Sequence, residues 1–326
     1  MNGINKYEQK TTLSICIPTW NRAKYLDESL SKLHNQLKDI NIKDIEIYIS
    51  DNASIDDTPL IVQKYIDQGM PITYNRNIEN IGAARNFIHC IKHSNGKYIW
   101  LLGDDDFLKE DALKLLIKVL KENECGLLHL CNHPQVETPI LINDLRFFLK
   151  EVSFYITFMS GNIFNKDIIN EIKDPEQYVS SHLLQVPYYL EAACKHKQNS
   201  LVNINQILEP PADASNNGGY NFFEVFVKFY LEIWKEKLVK YNLIDLYSFI
   251  RKDIYVRFSI NYVIRLLILK KEKPQKNSHN RKGWDTKGGW SLLLQYYGKD
   301  FYFYKETILE IFRRCINKVF LKLKIK

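Results

Sequence analysis

Tyr98-Ile99-Trp100-Leu101-Leu102-Gly103-Asp104-Asp105-Asp106 is an apolar run that breaks abruptly into three consecutive carboxylates. An apolar run this short, closed by a glycine, reads as a buried strand. Three like charges at a strand's end repel one another unless a cation shares them, which suits a divalent metal with oxygen ligands, Mn or Mg. That chemistry points to phosphates. The plainer reading is a set of solvated caps for a helix beginning near Glu110. The abrupt position after the apolar run favours the metal.

On the amino-terminal side the chain alternates β-branched runs with helical patterns. Strands are expected at Leu13–Ile17, Ile45–Ile49 and Ile72–Tyr74, with helices at Ala23–Leu37, Thr58–Gln68 and Ala83–His93. After the Asp triplet come a helix at Glu110–Glu122 and a strand at Leu127–Cys131. This alternation predicts an α/β fold with a mainly parallel sheet flanked by helices, and ligands at the carboxyl ends of the strands. Those ends carry Pro18-Thr19-Trp20-Asn21-Arg22, Ser50-Asp51-Asn52-Ala53-Ser54, Asn75-Arg76-Asn77 and the triplet itself.

From Gly126 the pattern is mixed, with a helix expected at Leu145–Lys150, a strand-like run from Ser160-Gly161-Asn162, a helix at His182–Lys195 and a strand at Leu201–Leu208. Pro210-Pro211 and the Asn- and Gly-rich stretch through Gly219 make the clearest break. Beyond it the chain reads as a helical C-terminal region: Phe222–Tyr241, Leu243–Leu269, Ser291–Tyr297 and Phe301–Leu323, interrupted by a basic loop at Lys270–Lys287. The organisation expected is 1–125 as a nucleotide-binding half, 126–215 as an acceptor-side half and 216–326 as the helical region.

Composition sets outer bounds. With 326 residues, 45% hydrophobic and 25% charged, the chain is globular, and its formal charge of +7 suits phosphates or an anionic membrane surface. No basic-aromatic stacking motif supports nucleic acid as a partner. Six scattered cysteines without a CxxC pair suit a reducing cytoplasm. Met1–Thr12 lacks the apolar core of a signal peptide, and Ile254–Leu269 is interrupted by Arg257, Asn261 and Arg265, a poor membrane span. The final helix sets apolar residues, Phe301, Tyr304, Ile308 and Phe312 among them, beside Lys305, Arg313, Arg314 and Lys318. Such a helix suits peripheral attachment to the inner face of the plasma membrane, or core packing or a homo-oligomer contact.

The strand-end motifs have individual readings. Asp51 ends a strand where its carboxylate can accept hydrogen bonds from a base or ribose, while Asp56 or Asp57 can cap the next helix. In Asn77-Ile78-Glu79-Asn80-Ile81-Gly82-Ala83-Ala84-Arg85-Asn86, small residues open a helix and allow close approach of a ligand, with Arg85 able to neutralise a diphosphate. The Asn216–Asn221 loop could fold over a ligand as a lid.

Taken in order, these four motifs resemble a family 2 glycosyltransferase of the A-type fold, within it the abequosyltransferase-like branch whose metal motif reads Gly-Asp-Asp-Asp. The likeness covers Leu13–Leu108, more faintly to Asn221. It implies a metal-dependent transferase that moves one sugar from a nucleotide-sugar donor, UDP-linked by default, to a saccharide or lipid-linked saccharide acceptor in bacterial surface-glycan biosynthesis. Carried over, Pro18, Thr19, Asn21, Arg22, Asp51, Asn52, Asn80, Gly82 and Arg85 bind the donor, Asp104 lies at the ribose, and Asp105 and Asp106 hold the metal. Gly103 stands where the commoner Asp-x-Asp form has its first Asp.

The resemblance also implies a Glu-Asp pair opening a helix in the second half, as the general base. The matching region, Tyr178–Gln185, has no carboxylate, so His182, or Asp213 after Pro211, is the candidate base. Each has a structural reading: a hydrogen-bonded helical histidine and a polar loop. The alternative function is a non-catalytic sugar-nucleotide-binding or scaffold subunit of the same fold.

Overall fold

The computed structural model describes residues 10–133, 135–169, 172, 174–210, 220–257, 285–301, 303–305, 307–309 and 312. The chain divides into two compact units, Met1–Asp213 and Ala214–Lys326.

In the first unit, β1 (Leu13–Thr19), β2 (Ile45–Asp51), β3 (Ile72–Arg76) and β4 (Tyr98–Leu101) alternate with α1 (Ala23–Leu37), α2 (Thr58–Asp67) and α3 (Ala83–His93). Then follow α4 (Ala112–Glu122), β5 (Leu127–Cys131), β6 (Ile140–Ile142), α5 (Leu145–Val152), β7 (Asn162–Asn165), the single turn α6 (Lys166–Ile169), α7 (Gln185–Lys195) and β8 (Asn199–Asn203). All eight strands form one sheet in the order β3-β2-β1-β4-β7-β5-β8-β6. The pairs among β1 to β4 and the β5–β8 pair are parallel, whereas β7 runs antiparallel to β4 and β5, and β6 to β8.

The central parallel strands β1, β2 and β4 are buried on both faces, which is why they read as mainly apolar runs, whereas the edge strand β3 is partly exposed. Leu26, Leu30, Leu33 and Leu37 of α1 and Leu113, Leu116, Ile117 and Leu120 of α4 recur at helical spacing and join Ile15, Ile17, Ile47, Ile49, Trp100 and Leu102 in one core. Full burial of each such side chain contributes about 1.5–3 kcal/mol.

Several boundaries differ from expectation, each for a local reason. Register pairs Pro18 with Ser50, Thr19 with Asp51, and Asp51 with Arg76, so the polar residues expected after the strands lie inside their ends. Asp111 takes the left-handed conformation (φ 60°), and α4 starts at Ala112 instead of Glu110. His182 is also left-handed (φ 59°), at the end of a 3-10 helix over Pro175–Ser181, so α7 begins at Gln185 rather than His182. The expected strand over 201–208 stops at Asn203, whose side chain accepts from the Asn205 N–H and starts a 3-10 turn. β6 has no sequence signal beyond a three-residue apolar run.

In the second unit a π-helical turn, Glu224–Phe229, leads into α8 (Tyr230–Lys240), and a 3-10 turn at Ile244–Leu246 into α9 (Tyr247–Arg257), followed later by α10 (Gly289–Tyr297). Phe222, Phe223, Tyr230 and Trp234 are buried. Arg251 on α9 pairs with Asp300 at 2.7 Å. Asp213, the stretch 216–219, residues 258–269 of the expected helix Leu243–Leu269, and residues 313–323 of the expected final helix lie outside the described residues.

Candidate active site

The parallel strands β1, β2 and β4 end on one side of the sheet, and their ends bring the polar motifs together. After β4 the chain turns sharply, with the Asp106 N–H donating to the Gly103 carbonyl at 3.1 Å. The turn folds the carboxylates back over Gly103. A Cβ there would meet Asp106 Oδ2 at 2.6 Å and Asp105 Oδ1 at 3.3 Å. Glycine is therefore what lets the second and third aspartates converge, a physical reason for its place in the motif. Ser160, just before β7, fixes this geometry: its hydroxyl accepts from Gly103 N at 2.8 Å and donates to Asp106 Oδ2 at 2.5 Å.

Asp104 is buried beneath the turn and accepts from the Thr19 hydroxyl at 2.7 Å. Arg22, reaching over from the β1–α1 turn, lies with Nε 2.8 Å from Asp104 Oδ1 and Nη2 2.5 Å from Asp105 Oδ2. The Nε contact is one of charge, because that N–H, though buried, is not aligned with any acceptor. The guanidinium also covers the Tyr25 ring at 4.6 Å. Burial pushes the Asp104 carboxyl up to about 7 despite Arg22 and Thr19, and burial likewise raises Asp106. Burial works against the charge on Arg22, yet Asp104 and Asp105 outweigh it and raise its pKa. Asp105 Oδ1 and Asp106 Oδ1 have no protein partner among the described residues. Two convergent carboxylates with open oxygens are a donor set for a hard divalent cation that completes its shell with phosphate and water.

At the end of β2, Asp51 is fully buried; one oxygen accepts from Ser54 N at 2.8 Å and the other from the Tyr74 hydroxyl at 2.7 Å, with Arg76 Nε 3.6 Å away. A base approaching this carboxylate would compete with the Ser54 N–H and the Tyr74 hydroxyl for its oxygens. Asn52 bonds Asn80 at 2.8 Å and accepts from Asn77 and from Ile81 N, while Asn86 accepts from Asn77 and from Ser50. This asparagine network staples the 77–82 loop onto β2, and its mutual satisfaction makes it rigid. Gly82 needs no side chain at φ 84°, and its N–H donates to Asn80. Asn21, left-handed at φ 53°, is clamped to the 54–55 turn through Ser54 Oγ at 2.9 Å and Ile55 N at 2.8 Å.

The remaining candidates lie apart from this cluster's hydrogen bonds. Arg85, half-exposed on α3, pairs with Glu176 at 3.1 Å. His182 is exposed on the turn before α7. Pro18 occupies the penultimate position of β1. Ser160, Tyr74, Arg76 and Glu176 were not singled out from the sequence, because each acts across a long chain separation with no local pattern. Arg76 stood inside a strand-end motif, the one available signal.

Residues 14–164 match the family model "Glycosyl transferase family 2". The abequosyltransferase RfbV of Salmonella typhimurium is 41% identical over 132 residues, covering 37% of this chain and 39% of that protein. The GalNAc(5)-diNAcBac-PP-undecaprenol beta-1,3-glucosyltransferase of Campylobacter jejuni is 33% identical over 127 residues, 38% of either chain. The chain thus spans about two fifths of the length of these curated relatives. Among solved structures, Staphylococcus aureus TarS 1-349 in complex with UDP-GlcNAc superposes with a TM-score of 0.63 at 16% identity, covering 80% of this chain and 77% of that one. The Pyrobaculum calidifontis mannosyltransferase PcManGT, with GDP-Man and Mn2+, gives 0.54 at 14% identity, covering 78% and 72%. These likenesses establish the A-type glycosyltransferase fold.

Proposed function

Because residues 14–164 match the glycosyl transferase family 2 model, we propose that this chain moves one sugar from a nucleotide-sugar donor to a saccharide or lipid-linked saccharide acceptor in the assembly of a bacterial surface glycan. The observation that carries the reading is the carboxylate turn after β4, gathered over Gly103 and tied to the β1–α1 turn by Thr19 and Arg22. A parallel sheet takes its ligands at this edge. The abequosyltransferase and undecaprenol-glycan glucosyltransferase relatives support sugar transfer and a lipid-linked acceptor. UDP is the first donor nucleotide to test, and TarS, which shares the fold, binds UDP-GlcNAc.

Asp105 and Asp106 would hold Mn or Mg through their carboxylates, the first of which is now paired with Arg22. Among the described residues no group of three or more His, Cys, Asp or Glu side chains is placed to hold a metal, so donor phosphates and water would have to complete the shell of an ion on Asp105 and Asp106. Bound there, the ion supplies a Lewis acid for charge developing on the departing diphosphate. Asp104 orients the ribose, and Arg22 and Arg85 bind phosphate oxygens. As the acceptor oxygen bonds to the anomeric carbon and the carbon–oxygen bond to phosphate breaks, His182 or Asp213 takes the acceptor proton.

The sequence from 214 onward holds about twice as many Lys and Arg as Asp and Glu, whereas carboxylates outnumber cations before it. No helix among the described residues is long and apolar enough to cross a membrane. The basic charge of this carboxyl-terminal sequence supports a protein held peripherally on an anionic inner leaflet, near a lipid-linked acceptor. The test is release of nucleoside diphosphate from a panel of nucleotide sugars, with and without lipid-linked saccharides. Acceptor-dependent release supports transfer; donor binding without release from any donor favours the non-catalytic subunit.

A further inference from the structure

Resting on that donor-site reading, we propose that Arg22 is a resident counter-cation that the metal must displace, so that the ion enters this site only together with a nucleoside diphosphate. Arg22 takes up Asp105 Oδ2 at 2.5 Å and lies 2.8 Å from Asp104 Oδ1, so a guanidinium already claims a carboxylate that the ion needs. A cation arriving alone must compete with this charge and then sit beside it. A diphosphate changes the balance, because its oxygens receive the planar guanidinium bidentately and free Asp105 for the metal.

Two features of the surroundings fit a side chain built to move. The Arg22 Nε–H is buried without an aligned acceptor, so the guanidinium is incompletely satisfied where it lies. The backbone beneath it does not move freely: Asn21 is clamped by Ser54 Oγ and Ile55 N, and Ala23 N donates to Asp56 Oδ2 at 2.9 Å. Exchange of partners thus falls to the Arg22 side chain, with the Tyr25 ring at 4.6 Å as a face along which it can slide. Thermodynamic linkage then requires metal and diphosphate each to raise the other's affinity, and Arg22 to carry much of that coupling.

The test is calorimetry at pH 8 on the full chain, with Mn2+ titrated alone and in the presence of UDP, CDP, dTDP or GDP. It compares wild type with Arg22→Gln, Arg22→Lys and Asp105→Asn. Arg22→Gln is expected to bind Mn2+ alone at least tenfold more tightly than wild type. The nucleotide's enhancement of Mn2+ binding, at least tenfold in wild type, should fall below threefold. Should the Gln variant fail to fold, Arg22→Lys, which keeps the charge but cannot bridge two carboxylates, is expected to gain at least threefold in Mn2+ affinity. Unchanged or weaker Mn2+ binding in the folded Arg22 variants overturns the proposal. Wild type that binds Mn2+ no better than Asp105→Asn with every nucleotide overturns the underlying donor-site reading instead.

Discussion

Thr19, the last residue of β1, donates a 2.7 Å hydrogen bond from its hydroxyl to Asp104, just beyond the end of β4. The bond locks the first carboxylate of the triplet into the sheet edge, buried and oriented, while Asp105 and Asp106 stay nearer the surface. One aspartate thus serves position and two remain for exchangeable partners.

Burial holds the Asp104 carboxyl at about 7, above the ordinary carboxylate range. Through this group the folded chain keeps a proton that the unfolded chain has released, so stability falls as pH rises between about 4 and 7, by up to about 1.4 kcal/mol per pH unit. Thermal melts of Asp104→Asn should lose this slope relative to wild type. Parallel curves across that window would contradict the assignment.

Gly103→Ala places a methyl against the Asp106 and Asp105 carboxylates. The turn must open, costing about 1–3 kcal/mol of stability. Metal-dependent nucleotide binding should weaken at least tenfold by calorimetry; a variant with wild-type affinity would show that the convergence of the carboxylates is unimportant.

Asp56 caps two helices at once, accepting from Ala23 N at the start of α1 and from Thr58 N and its hydroxyl at the start of α2. Asp56→Ala should cost about 1–2 kcal/mol or more in denaturant unfolding. Asp57→Ala, which removes no side-chain cap, should stay within about 0.5 kcal/mol.

His182 combines an exposed imidazole with a left-handed backbone, so Ala and Asn substitutions separate its two readings. Asn tolerates that conformation better than Ala. If His182 is the base, both variants lose turnover at least a hundredfold with donor affinity intact. If its part is structural, Asn keeps activity and Ala lowers the melting temperature.

The alternation of apolar runs and helical periods made the sheet legible, because the central parallel strands β1, β2 and β4 are buried on both faces and leave short apolar runs between helical patterns. The limits of α1, α3 and β5 could be read to the residue. Strand ends were harder, since Thr19, Asp51 and Arg76 look like loop residues yet are held in the sheet by register. Left-handed residues at Asp111 and His182 moved two helix starts; Asp and His enter that conformation more readily than most residues, but residue type alone does not mark which of them will. Within the site, sequence order placed the carboxylates, but the Arg22 pairing, the Ser160 brace and the Tyr74 bond to Asp51 depend on contacts across the fold.

The central claim, that the turn over Gly103 holds a metal-dependent donor site, is tested most directly by titrating UDP, CDP, dTDP and GDP into wild type and Asp105→Ala, each with and without Mn2+ or Mg2+. The account predicts that one nucleotide binds wild type only with metal, and that folded Asp105→Ala loses this binding. Equal, metal-independent affinity in both proteins, or no binding of any nucleotide to wild type, would contradict it.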